Sequence, residues 1–256
     1  MAKYFIYPTD GRETSASVAS GTFSGGSNDF ATGSQVTNPE RLVDGNLGAA
    51  ANFTSSSAVV RTDKGIGSID VIDSIAFYST AADSDGFKFY TNSASDSATA
   101  SFQWEATAVT AGWNVNAALT ADNSERYWYM YAYEGAVSTV TQVIFGTKLN
   151  LTNVELSGTE GKIHGNKILT SQGGVEYSNK RHDGKKFWNF NLKFVSSSYK
   201  TSLETMRTAL YGPHDKFLYY DDSAYYYVRM SDDSLRFKEV AYGVYDTSIK
   251  LTEQLS

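Results

Sequence analysis

The strongest constraint in this chain is an alternation of period two. Over Lys186-Phe187-Trp188-Asn189-Phe190-Asn191-Leu192-Lys193-Phe194, the residues Trp188, Phe190, Leu192 and Phe194 fall on one face. Successive strand side chains point to opposite faces, so this is the pattern of a half-buried β-strand. Gly86 to Tyr90 and Phe102 to Ala106 alternate in the same way, and Tyr127 to Tyr133 is dense in aromatics. Ser68 to Tyr78 and Thr139 to Gly146 are rich in β-branched and aromatic residues, which suit a pleated surface. Strands at short spacing, separated by Gly, Asp, Asn and Ser turns, predict a mainly β chain of antiparallel sheets.

One segment departs from that period. Tyr199, Leu203, Met206 and Leu210 follow at spacings of four, three and four, which predicts an amphipathic helix near residues 198–211. Ser198 is the expected cap, Thr201-Ser202-Leu203-Glu204 fits a capping box, and Gly212-Pro213 ends the helix. Beyond it, Lys216 to Tyr220 and Tyr225 to Met230 flank a turn at Asp221-Asp222-Ser223 and predict a hairpin. Two final strands are expected over Leu235 to Tyr242 and Tyr245 to Leu251. Ser15 to Ser34 is expected as loop or short edge strands, and Ser93 to Ala100 and Gly158 to Lys162 as loops.

Charge divides the chain. Residues 1–149 carry 8 Lys and Arg against 15 Asp and Glu, and residues 150–256 carry 14 against 13. That step predicts two separately packed domains, 1–147 and 148–256. Hydrophobic residues at 41% and aromatics at 14% are enough to bury a core. A net charge of −6 argues against a generic nucleic-acid binder, which needs a basic footprint. No run of about 18 apolar residues predicts a membrane span. The start, Met1 to Pro8, lacks the apolar core of a secretory signal, so synthesis in a cytoplasm is expected.

Candidate chemistry is sparse. The chain has no cysteine, which removes disulfides, zinc–thiolate sites and thiol nucleophiles. His164, His182 and His214 are at least 18 residues apart and are expected in loops, so no metal site and no cofactor are predicted. There is no Gly-x-Ser-x-Gly elbow and no phosphate-binding loop. Asp83-Ser84-Asp85-Gly86 and Asp221-Asp222 fit turns better than a calcium loop, since Asp is a common turn residue. Of the four tryptophans, Trp104, Trp128 and Trp188 are expected in cores. Trp113 lies nearest a turn and is the candidate for an exposed ring that binds a ligand. The basic run Lys180-Arg181-His182-Asp183-Gly184-Lys185-Lys186 reads either as a solvated hairpin tip or as a contact with a partner subunit. Lys180, Arg181, Lys185 and Lys186 are the candidate contact residues.

Three stretches bear a family likeness. Asn38-Pro39-Glu40-Arg41-Leu42-Val43-Asp44-Gly45-Asn46 resembles the early Asp-Gly signature of discoidin-type, galactose-binding-like jelly rolls. Arg126-Tyr127-Trp128-Tyr129-Met130 and Gln142-Val143-Ile144-Phe145-Gly146 are similar to that family's last two strands. The Thr-x-Trp that often follows Asp-Gly there is replaced by Ala49-Ala50-Ala51-Asn52-Phe53. Asp44 is the one ligand-binding residue that this resemblance carries over. The order of parts is similar to minor tail proteins of tailed bacteriophages, of the distal tail or baseplate hub type. Those join a jelly roll to a tail-tube-like β-barrel or sandwich carrying one helix, here Thr147 to Leu251.

The resemblance implies a non-enzymatic structural component of the tail of a virion, made in the host cytoplasm. It implies a cyclic homo-oligomer, a hexamer by likeness, in contact with tube, hub and fibre proteins. The competing expectation is a carbohydrate-binding module that recognises a host glycan; a hydrolase is the least supported. The 18 tyrosines exceed what one core requires, and a good part of them is expected at subunit contacts.

Overall fold

Strand pairing organises nearly all of the chain. The computed structural model describes residues 3–8, 15–18, 36–54, 58–63, 72–84, 86–93, 100–119, 125–133, 139–152, 154–155, 158–172, 174, 176–180 and 182–254. They are mainly β, in antiparallel sheets, with one α-helix among them. Contacts group into two units, Phe5–Leu149 and Asn150–Leu255, the second also taking Met1–Tyr4.

The first unit holds strands β1 (Tyr4–Pro8), β2 (Ser15–Val18), β3 (Val36–Thr37), β4 (Ala51–Phe53), β5 (Val59–Asp63) and β6 (Ser74–Ser79). It continues with β7 (Phe87–Asn92), β8 (Ser101–Ala106), β9 (Gly112–Asn116), β10 (Tyr127–Ala132) and β11 (Thr139–Asn150). One sheet runs β2-β5-β10-β7-β8. In the other, β1, β4 and β6 pair with β11, β3 extends β4, and β9 extends β6. This is a β-sandwich, and its core is aromatic. Phe53 and Phe77 meet Phe87 edge-on at 5.0 and 5.4 Å. Phe89 and Trp104 stack at 5.1 Å with planes 11° apart, and Trp128 lies 4.9 Å from Phe145. Gly146, at the end of the Phe-Gly pair, is required: a Cβ there would collide with the Tyr7 carbonyl on β1.

The second unit holds β12 (Thr159–Ile163), β13 (Asn166–Thr170), β14 (Glu176–Lys180), β15 (Lys185–Ser196), α1 (Ser197–Ala209), β16 (Phe217–Tyr220), β17 (Tyr225–Met230), β18 (Phe237–Ala241) and β19 (Val244–Glu253). Its main sheet runs β12-β15-β19-β17-β16, with β18 also on β19. Of the expected barrel or sandwich, no closed barrel forms among the described residues: β12 pairs only with β15 and β18 only with β19. The segment Gly158 to Lys162, expected as a loop, is mostly strand, because Thr159 to Ile163 pairs in register with β15. Trp188, Phe190 and Leu192 are buried as the alternation requires. Phe194 is not. The β15–β19 register slips between Leu192 and Val195, and this bulge turns the Phe194 ring outward.

The helix starts two residues earlier than expected for its cap. Ser196, not Ser198, accepts the Tyr199 N–H, at 3.2 Å. Leu203, Met206 and Leu210 are buried as the stripe predicts. At its end Tyr211 and Gly212 both take positive φ, and the Gly212 N–H donates to the Arg207 carbonyl at 2.9 Å. The expected β16–β17 hairpin turns on Asp221. Its Oδ1 accepts from the Ser223 hydroxyl at 2.7 Å and from the Ser223 and Ala224 N–H groups, each at 3.1 Å. Partial burial works against the charge, but those donors and nearby Lys186 hold the carboxyl below its ordinary value.

Two outcomes follow from this packing. Phe87→Ala removes a fully buried ring and lowers stability by about 3–5 kcal/mol, while Phe102→Ala, at a ring 53% exposed, costs far less; urea unfolding measures both. Asp221→Ala costs about 1–2 kcal/mol at neutral pH through its lost turn hydrogen bonds. A depressed carboxyl contributes stability above its unfolded value of 3.8 and loses it as pH falls through the folded value. The difference between Asp221→Ala and the parent therefore narrows below about pH 4 in acid unfolding followed by circular dichroism.

Candidate functional site

The feature that sequence reasoning missed is an arm. Strands β13 and β14 pair in register from Asn166↔Lys180 to Thr170↔Glu176 and form a two-stranded sheet of their own. The Gly174 N–H closes the turn onto the Ser171 carbonyl at 2.9 Å, with Gly174 at φ 77. Every strand side chain described on this ribbon is exposed. Three are large and apolar: Ile168 at 61%, Leu169 at 52% and Tyr177 at 62%. An isolated two-stranded hairpin is marginal in water, and clustered apolar side chains on its surface are uncommon. No alternation announces the arm, because Asn166-Lys167-Ile168-Leu169-Thr170 puts two apolar residues side by side.

The basic run lies at the return of the arm into β15, not at a hairpin tip. Lys180 ends β14, Arg181 lies outside the described residues, and Lys185 and Lys186 open β15. Lys186 is used within its own unit. Its Nζ donates to the Tyr226 hydroxyl at 2.6 Å and lies 4.2 Å from that ring's centre, while its N–H donates to Glu253 at 2.8 Å. The Tyr226 hydrogen bond, aided by Asp221 and Glu253, raises the Lys186 pKa. Opposite strand ends also bring together two histidines that are far apart in sequence. His182 packs where a Cβ on Gly165 would stand, and His164 does the same at Gly184. The two turns at the base of the arm thus interlock, ring on glycine, and each glycine leaves the room that its ring needs.

The jelly-roll candidates take other places. Asp44 is a turn residue: its Oδ1 accepts the Asn46 N–H at 2.8 Å and its Oδ2 pairs with Arg41 at 3.1 Å. Gly45, at φ 71, donates its N–H to Gln142 on β11. Both Asp44 oxygens thus serve the loop, and no group of three or more metal-ligating side chains occurs among the described residues. Trp113 sits on β9, opposite Tyr78 of β6, and the rings meet edge to face at 5.3 Å. Asn114 fixes the preceding turn through the Thr110 N–H, hydroxyl and carbonyl. Trp113 and Tyr78 are both half-buried, so the expected exposed ring is only partly open. Trp104 packs against the sandwich core, and Trp128 and Trp188 are buried.

A cleft of about 540 Å³ opens in the second unit among Leu151, Val154, Glu155, Glu160, Trp188 and Phe190. The Trp188 ring is engaged by Tyr219 and Tyr226 at 5.2 and 4.9 Å, and 2% of the residue is exposed. The ring is therefore closed to stacking by a ligand. Of the 18 tyrosines, six are buried, nine are half-buried, and Tyr177, Tyr211 and Tyr242 are exposed. Across the β16–β17 hairpin, Tyr219 faces Tyr226 and Tyr220 faces Tyr225.

No family model matches the chain, and no curated protein matches its sequence. Among solved structures it is similar to chitosan-binding module 1, derived from a chitosanase/glucanase of Paenibacillus sp. IK-5. Identity is 13% and the TM-score 0.37, over 54% of this chain and 96% of that one. A selenomethionine-labelled mutant of the same module is similar at 13% identity and a TM-score of 0.39, over 54% and 97%.

Proposed function

We propose that this chain is a non-enzymatic structural subunit that assembles with copies of itself, as a ring component of a bacteriophage tail tip. The observation that carries self-assembly is the arm, a ribbon that among the described residues pairs only with itself and that exposes Ile168, Leu169 and Tyr177. Strand edges of this kind are completed by adding a strand from another chain. The tail-tip assignment adds the order of parts read in the sequence, a jelly roll followed by a β-domain with one helix. In this reading Lys180 and Lys185, at the arm's base, border the subunit contact, and the jelly roll presents a surface to fibre, hub or host glycan.

Size-exclusion chromatography with light scattering tests assembly. The intact chain elutes as one defined oligomer, and a variant with residues 166–180 replaced by a short Gly-Ser turn elutes as a folded monomer. A strict monomer for the intact chain at high concentration contradicts the reading.

A second reading, glycan binding by the jelly roll, is favoured by one observation: Trp113 and Tyr78 form a half-open aromatic pair on the sheet. It predicts glycan-array signals that fall about tenfold in Trp113→Ala, the loss of roughly 1.4 kcal/mol. A blank array for the parent protein removes it.

A further inference from the structure

The second unit carries another exposed apolar patch, at the far end of β15 from the arm. Phe194 has φ 55 and is 71% exposed. A non-glycine residue in that region is strained, and strain persists where surrounding contacts impose it. Here Asp246 imposes it. The Phe194 N–H donates to Asp246 Oδ1 at 3.2 Å, and Lys193 Nζ binds Oδ2 at 2.9 Å. The Lys193 hydrogen bond, with the Phe194 N–H, holds the Asp246 carboxyl below its ordinary value. Beyond the bulge, Val244 pairs with both Ser196 and Ala241, so the β18–β19 turn lies at this corner. That turn carries Val240 at 42% and Tyr242 at 101% exposure. It is tied to the helix start by the Ser197 hydroxyl, which donates to the Gly243 carbonyl at 3.1 Å.

We propose that the Phe194, Val240 and Tyr242 corner of one copy receives the Ile168, Leu169 and Tyr177 arm of the next, head to tail. This rests on the self-assembly reading and names its two surfaces. The arm rejoins the sheet at Lys185, nine residues from Phe194, a span of about 30 Å along β15. The base of the arm and the corner therefore lie at opposite ends of β15. An arm-to-arm contact would leave the corner exposed in every copy. A head-to-tail contact covers both patches in every copy and closes into a ring when its rotation permits.

The area is sufficient. At about 150–250 Å² per ring, the exposed fractions of Tyr177, Phe194 and Tyr242 amount to roughly 350–600 Å². Ile163, Ile168, Leu169 and Val240 add aliphatic surface. A standard interface of about 1,600 Å² is a little over half apolar, so these residues supply most of its apolar part.

The cysteine-free sequence makes the test clean. Chains carrying Leu169→Cys and chains carrying Tyr242→Cys are mixed and oxidised. The mixture gives a covalent dimer on a non-reducing gel, and neither variant alone does. Cross-linking by Leu169→Cys alone overturns the head-to-tail pairing. So does a mixture that light scattering shows to be oligomeric yet gives no cross-link. A parent chain that is monomeric throughout overturns the assembly reading and this inference together. Phe194→Gly supplies a second readout: association weakens about thirtyfold, as for a hot-spot aromatic, while the melting temperature holds or rises because the strain is relieved. Unchanged association in Phe194→Gly overturns the role of the corner.

Discussion

A β-sheet that does not close has edges, and the disposal of those edges governs this protein. Backbone N–H and C=O groups at an edge seek partners, and proteins cover, twist or occupy them. The sandwich places its aromatic core between two sheets. Among the described residues of the second unit, β12 and β18 each have a single strand partner, and β13 and β14 pair only with each other. Six of its eight large exposed apolar side chains among the described residues gather beside these features: Ile163 on β12, Ile168, Leu169 and Tyr177 on the arm, and Val240 and Tyr242 at the end of β18. Edge and apolar surface together are what assembly with further copies requires.

The regular strands were legible because their side chains alternate. Trp188, Phe190 and Leu192 are buried as the period demands, and the stripe Leu203, Met206, Leu210 faces inward on α1. Phe194 broke the rule because a bulge is a property of the pairing between two strands. No reading of β15 alone reveals that Asp246, fifty-two residues on, captures the Phe194 N–H. The arm was illegible for a related reason. Alternation is the imprint of one buried face, and a ribbon exposed on both sides carries none.

The candidate sites divide along the same line. The Asp-Gly resemblance marked Asp44 and residue type marked the Lys180–Lys186 run, and local structure uses a member of each. Asp44 holds its own loop, and Lys186 binds Tyr226 and Glu253. The tyrosine excess was counted correctly, yet its place was not legible, because cross-strand register decides whether a tyrosine faces another tyrosine or solvent. Tyr219 and Tyr220 face Tyr226 and Tyr225 across the hairpin, whereas Tyr177 and Tyr242 are exposed on the single chain.

The central claim is that the arm becomes buried between copies. Amide hydrogen exchange at two protein concentrations tests it most directly, because the N–H groups of β13, β14 and the β18–β19 turn report their own protection. The account predicts rapid exchange in these segments in dilute solution and slowed exchange at high concentration, with the Phe77, Phe87 and Phe145 strands unchanged. Exchange in the arm and the turn that stays the same at both concentrations, in a protein that remains monomeric, would contradict it.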